Sequence, residues 1–380
     1  MNSHDDSRND GASMDGKIHI SIVATSRNDD HGGFLTRRMQ HFVDGLVAQC
    51  KRHGLRAELI LVDWNPPPER LPLIEELSWP ADPGPCAIRI VTVPPEVHRT
   101  FEHADKIRLF QMLAKNAGIR RARGKFILAT NIDILFSDGA MRYLRDHLRP
   151  GRLYLADRVD VPADVPATDD FEAVLRFCEE RAFRINTGGV IVERGAGRWL
   201  LRDRLKAAAG ARLGYVLDLA DKFFALPASK IANPRWLFGA LVGSLRQLGV
   251  PFTTACGDFT AMSREDWFRL RGYAEWHIFS WHLDSLLIYQ ALGCGIHARR
   301  LAPGTRVFHI DHDGGFAPQS GAALFERLKS RGIPFITDEE LRRLYADISA
   351  NKRSGQEVQF NKADWGLASL SLPEALPQAT

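Results

Sequence analysis

Over residues 17–148 short apolar runs alternate with longer stretches in which apolar positions recur every three or four residues. Ile18–Ala24 is the first such run and reads as a strand, followed by the polar loop Thr25-Ser26-Arg27-Asn28-Asp29. Phe34, Leu35, Met39, Phe42, Val43, Leu46 and Val47 then carry helical spacing. Glu58–Val62 is the second strand; it ends at Asp63-Trp64-Asn65 and a stop of three prolines. Ile88–Val93 is the third. Ile107, Phe110, Leu113, Ala114 and Ala117 predict a second amphipathic helix, and Phe126–Ala129 a fourth strand running into Asn131-Ile132-Asp133. This alternation predicts an α/β fold with a parallel sheet and right-handed crossovers.

The pattern changes after Pro150. Leu153–Ala156 reads as a strand and Asp160–Asp170 as a loop rich in Pro, Ala and Asp. Helical patterns follow at Phe171–Phe183 and Arg198–Ala209, with Gly188-Gly189 marking a turn before a strand at Val190–Val192. Trp236–Val250 is the most apolar helical stretch; Arg246 and Gln247 interrupt it, which favours a packed or surface helix over a membrane-surface contact. Residues 149–252 are therefore expected to form a helical insertion on the acceptor side. Residues 253–349 regain dense patterning. There Ser263 caps a helix with Asp266 three residues on, Gly272-Tyr273 ends it, Trp281–Leu292 forms another helix, and Val307–His312 a strand. Residues 1–16 read as a disordered tail and 350–380 as a peripheral one.

Composition narrows the options. A chain of 380 residues suffices for one large or two ordinary domains. A net charge of +4 gives no argument for nucleic-acid binding but suits an anionic substrate met by local arginines. The five cysteines form no C-x-x-C pair, so neither a zinc ribbon nor a redox dithiol is signalled, and buried reduced thiols are expected. The first fifteen residues carry no apolar run, so no signal peptide is expected. No stretch reaches the roughly 18–20 apolar residues that span a bilayer. These features predict a cytoplasmic protein without a transmembrane segment, with peripheral contact at the inner membrane face left open.

Polar clusters end the first, second and fourth strands, so all three can face one crevice, where open α/β sheets bind ligands. Asp133 there can hold a divalent metal, and the metal a diphosphate, or it can merely end the strand in an Asx turn. His309 and His312 are the candidate imidazole ligands. Three residues apart on a strand, they would point to opposite faces, so only one is expected in the site. Asp284 is the candidate base or a helix-dipole partner; its nearness to Leu283 and Leu286 predicts partial burial, which would raise its pKa. Asp63 can bond a ribose hydroxyl, and Arg27, Asn28 and Asn116 the base or phosphate, with Lys106 and Arg108 close by; each alone reads equally as a solvated polar residue.

Three segments together, Ile18–Asn28, LVDWNPP (61–67) and KNAGIRRARGKFILATNID (115–133), resemble the sugar-nucleotide-binding half of GT-A glycosyltransferases of the family 2 type. Residues 256–295, from CGDFTAMSREDW to the LDSLLIYQALGCG helix, resemble their acceptor half, and His309-Ile310-Asp311-His312 resembles the histidine segment that completes metal binding. The resemblance implies a Rossmann-like, mostly parallel central sheet flanked by helices. It implies a UDP- or GDP-linked sugar donor, a glycan or other hydroxyl acceptor, and Mn2+ or Mg2+. It further implies a nucleotide-sugar set of Arg27, Asp63, Asn116, Asn131, Asp133, Gly257 and Asp258. Asp133 with His309 or His312 would hold the metal, and Asp284 would be the base of an inverting transfer. Two departures stand out: the triplet opens with the amide Asn131, and Leu283 replaces one acid of the usual pair before the helix. A nucleotidyltransferase is the first rival, opposed by an acidic, lysine-free SRNDDHGG loop. The second is a non-catalytic sugar-nucleotide or glycan-binding protein, which the N-I-D triplet favours.

Overall fold

The computed structural model describes residues 18–378 apart from 169, 188–189, 195–250, 252, 303–304 and 313–320. The expected tail, the Gly188-Gly189 turn and the helices at 198–209 and 236–250 lie outside the described residues.

The strands are β1 (Ile20–Ser26), β2 (Ala57–Trp64), β3 (Cys86–Val93), β4 (Phe126–Thr130), β5 (Ile134–Phe136), β6 (Arg152–Leu155), β7 (Asp157–Val161), β8 (Arg184–Thr187), β9 (Val190–Glu193), β10 (Phe259–Ser263), β11 (His297–Arg300), β12 (Arg306–Ile310) and β13 (Glu374–Ala375). Eight of them form one sheet in the order β11-β6-β10-β4-β1-β2-β3-β13. The core β4-β1-β2-β3 is parallel, and β10 and β13 run against their neighbours. β1, β2 and β4 are buried along their whole length, as strands covered on both faces must be.

Helix α1 (Leu35–His53) covers one face and α2 (Gln111–Arg120) the other. α2 sits directly on the strands because Gly118 has no side chain. A Cβ there would lie 2.5 Å from Val23 Cγ1 and 3.0 Å from Val62 Cγ2. Gly124 plays the same part at the entry to β4, where a Cβ would lie 2.6 Å from the Ser21 backbone nitrogen.

A second sheet, β5-β12-β7-β8-β9, grows out of the first. The chain passes from β4 through Asn131-Ile132-Asp133 into β5, and from β6 through Ala156 into β7. The acidic triplet therefore lies at the seam between the two sheets, not on an open loop. Among the described residues the other helices longer than one turn are α3 (Asp138–Asp146), α4 (Phe171–Arg181), α5 (Arg264–Leu270), α6 (Leu283–Gly293), α7 (Gly321–Ser330) and α8 (Asp338–Arg353). Ser263 caps α5, its Oγ accepting from the Asp266 nitrogen at 3.1 Å.

Two expectations need correction. The described part of the insertion holds the expected helix near Phe171–Phe183 but also the strands β7 and β8, which were not expected: residues 150–194 supply β6 to the main sheet, three strands to the second, and the helix Phe171–Arg181. The segment from 350 is not peripheral. Trp365 is buried with the Arg120 guanidinium 5.1 Å above its ring, Arg121 donates to the carbonyls of Gly366, Leu367 and Leu370, and β13 pairs with β3. All five cysteines are buried free thiols. Among the described residues no helix is long and apolar enough to cross a membrane.

Candidate active site

Asp133 leaves β4 at the seam and is 6% exposed. Its Oδ2 lies 3.3 Å from His312 Nε2, 3.8 Å from His309 Nε2 and 3.1 Å from the donating NH1 of Arg38 on α1. Its Oδ1 is buried and has no hydrogen-bond partner. Burial alone would raise this carboxyl's pKa, but the charges of His309, His312 and Arg38 reverse that and hold it well below the usual carboxylate range. Both histidines reach the site, contrary to the alternation argument. β12 ends at Ile310, whose nitrogen donates to the Asp133 carbonyl, and Asp311 donates to Val161. His312 lies two residues past the strand's end and is not bound to its two-residue period.

Asp160 on β7, fully buried, stands behind His309 with Oδ1 3.0 Å from Nδ1. Arg158, Arg184 and Asn186 neutralise and saturate this carboxylate. Burial favours its neutral form, yet the His309 bond and the Arg158 charge hold its pKa well below the usual range. For His309, burial disfavours the charged ring, but Asp133 and Asp160 outweigh it and raise the pKa. A histidine whose one nitrogen is held by a carboxylate, leaving the other turned towards a second carboxylate, here that of Asp133, is the arrangement that metal-ligating histidines adopt. Ligand atoms of Asp133, His309 and His312 all lie within 4.8 Å of one another, and this donor set fits a divalent cation.

A second group adjoins the first. Arg158 spans both, pairing with Asp160 and donating NH1 to Asp258 Oδ2 at 2.9 Å. Asn131 donates to Asp258 Oδ1 at 2.6 Å and accepts from Gln111 at 3.0 Å, so its amide is occupied away from Asp133. Lys115, on α2 and fully buried, donates to the Gly257 carbonyl at 2.8 Å. Burial pulls its pKa to about 8, opposed by the charges of Asp258 and Asp284. Asp284 is half-buried in the first turn of α6, with Oδ1 accepting from the Ser285 nitrogen at 2.8 Å. A Cβ on Gly257 would lie 2.8 Å from Asp284 Oδ2, so the glycine is what lets that carboxylate sit there.

Lys115, Arg38, Arg158 and Asp160 were not read from the sequence as site residues. Lys115 carried a signal: one full charge inside the otherwise small and apolar stretch MLAKNAGI.

At the ends of β1 and β2, Asp63 is fully buried. Its Oδ2 accepts from the Leu73 nitrogen at 3.0 Å while Oδ1 has no partner. Burial raises its pKa to about 6, opposed by the Leu73 bond and the Arg27 charge. Asn28 donates to the Leu71 carbonyl at 2.9 Å, and its Oδ1 is likewise buried and unpartnered. Arg27 donates to the Asn65 carbonyl and pairs with Asp29, both at 2.8 Å. Asn116 is not brought to this group. Its amide donates to the Tyr273 carbonyl and Glu275, and its oxygen accepts from the Tyr273 nitrogen, so its capacity is spent tying α2 to the turn after α5. Lys106 is also elsewhere, donating to Gly332.

No protein-family profile matches the chain, and no curated protein sequence does. Among solved structures it is similar to residues 1–349 of S. aureus TarS in complex with UDP-GlcNAc. The identity is 8%, covering 90% of this chain and 74% of that one, at a TM-score of 0.39. It is also similar to glucosyl-3-phosphoglycerate synthase from Mycobacterium tuberculosis in complex with phosphoglyceric acid. There the identity is 14%, covering 84% and 82%, at a TM-score of 0.36. Both are GT-A-type glycosyltransferases. Likenesses this loose carry no weight for the site, whose chemistry rests on its own residues.

Proposed function

We propose that this protein is a glycosyltransferase that moves a sugar from a UDP- or GDP-linked donor to an acceptor hydroxyl, with inversion. The observation that carries the reading is the Asp133–His309–His312 group at the seam, joined through Arg158 and Asp258 to the Lys115–Gly257–Asp284 group. Asp133, His309 and His312 would hold a divalent ion, Mn2+ or Mg2+, which when bound neutralises charge on a leaving diphosphate.

The chain's own residues do the rest. Asp284 takes the proton of the acceptor hydroxyl, its Oδ2 placed by the missing side chain of Gly257. Lys115 holds the Gly257 carbonyl and sets a positive charge against Asp258 and Asp284. Asn131 and Arg158 fix Asp258. The unpartnered oxygens of Asp63 and Asn28 accept from the nucleoside. Both are covered, so nucleoside entry requires the 65–73 segment to lift.

A second reading, binding without turnover, is favoured by Asn131, whose amide leaves the triplet a single carboxylate. Calorimetric titration with UDP and GDP, with and without Mn2+, followed by a transfer assay, separates the two. The transferase reading expects metal-dependent nucleotide binding. It also expects Asp284→Asn to lose about 10²–10⁴-fold in transfer rate with nucleotide affinity unchanged. Near-wild-type transfer by that variant would remove Asp284 as base; metal-independent binding without turnover would leave the second reading.

A further inference from the structure

We propose that the Asp133 centre is built for a first-row transition-metal ion in preference to Mg2+, and that His31, from the loop after β1, is a fourth protein ligand. This rests on the metal centre proposed above but not on the transfer chemistry.

The first half follows from the donors. Two of the three grouped ligands are imidazoles. Mg2+ demands near-octahedral oxygen coordination and keeps its water, whereas imidazole suits the later first-row ions. The single carboxylate cannot compensate, because Arg38 occupies Oδ2 and leaves only Oδ1 without a partner. Arg38 also cancels the carboxylate's charge, and net negative charge is what a hard cation most needs. The rings of His309 and His312 are 5.4 Å apart. Two imidazoles bound to one ion through nitrogens at about 2.1 Å stand with their centres roughly 5 Å apart at a tetrahedral angle.

The second half follows from Arg38. This side chain is 3% exposed and bridges two places at once. NH1 holds Asp133, while Nε and NH2 hold the carbonyls of Gly33 and His31. A buried guanidinium thus ties the His31 backbone to the metal carboxylate. The His31 ring stands 6.2 Å from that of His312, edge-on. A shift of about 1 Å would bring this pair to the spacing of two imidazoles on one ion. Gly32 and Gly33, at φ 75° and 74°, form the turn that presents it. A cavity of about 180 Å3, lined by Gly32, Gly33, Arg38 and His312 among others, lies between this loop and His312. His31 itself is exposed, and its replacement leaves the core untouched.

The test is direct titration of the full chain, stripped of metal, with Co2+, Zn2+ and Mg2+, read by calorimetry and by the visible absorption of bound Co2+. Wild type is expected to bind Co2+ and Zn2+ at least tenfold tighter than Mg2+. His31→Ala and His31→Gln are expected to lose roughly tenfold in Co2+ affinity, a modest ligand's share, and to change the Co2+ spectrum. His297→Ala, an exposed histidine on the β11 edge, should do neither. Equal affinity for Mg2+, or His31 variants with wild-type affinity and spectrum, would overturn this inference while leaving the three-ligand centre standing. If wild type bound none of the ions, the metal centre of the proposed function would fall with it.

Discussion

Asp63→Asn should make the protein more stable at neutral pH and poorer at holding a nucleotide. Asp63 is fully buried with one oxygen unpartnered, and its pKa rises from 3.8 to about 6. Two pH units at about 1.4 kcal/mol each put the penalty on the ionised side chain at ~3 kcal/mol. The unfolded chain gives up this proton near 3.8 and the folded chain near 6. Between those values the folded state binds more protons, so this group's contribution to stability falls as pH rises through the window and is level above it. Asparagine has the same shape, and its oxygen can still accept from the Leu73 nitrogen. The variant should therefore exceed wild type by ~2–3 kcal/mol at about pH 7, with the gap closing towards pH 4. Urea midpoints of the two proteins across that range measure the difference directly, and every other titrating group cancels in the subtraction. A gap that does not change with pH, or a variant less stable at neutral pH, would refute the reasoning.

Lys115 titrates in the opposite sense. Its folded pKa is about 8 against 10.5, so wild-type stability relative to Lys115→Met should rise by up to ~3 kcal/mol as pH climbs through that window, measured by denaturant midpoints. Asn131→Asp restores the usual acid but sets it 2.6 Å from an Asp258 oxygen; a loss of about 1–3 kcal/mol is expected, read as a lower melting temperature at neutral pH. Asn116→Ala removes three hydrogen bonds, two buried and one partly buried, and should cost about 3 kcal/mol, with nucleotide affinity by calorimetry unchanged.

The parallel core was legible because β1, β2 and β4 are buried along their length and so spell mostly apolar runs, broken by few polar residues such as Ser21 and Glu58. Of the second sheet, β9 and β12 were read as strands, but β7 and β8 were not, because they carry their charge inward. β7 reads Asp-Arg-Val-Asp-Val and β8 Arg-Ile-Asn-Thr, compositions that suggest loop, yet Asp160, Arg184 and Asn186 are buried against one another. Pairing that makes such burial tolerable is a tertiary fact with no local periodicity. Asp133 and Asp284 could be picked out because a carboxylate at a strand or helix end is conspicuous. His312 was misread because a strand's alternation was carried past its last residue. Asn116 fits its motif, but here that position holds a turn instead of facing the crevice. Trp365 lay in polar sequence that gave no hint of its burial.

The pairing of β13 with β3 sets a condition on biosynthesis. Arg89 on β3 and Glu374 on β13 are 285 residues apart in sequence and form an ion pair at 2.7 Å. Until Glu374 has been made, the outer edge of β3 keeps its ladder groups unpaired, with the sheet behind it already able to form. Exposed strand edges recruit other chains. A polypeptide halted anywhere between residues 94 and 372 would therefore present a ready template for association, and the short closing strand works as a guard against aggregation that only a chain extended as far as Ala375 can deploy.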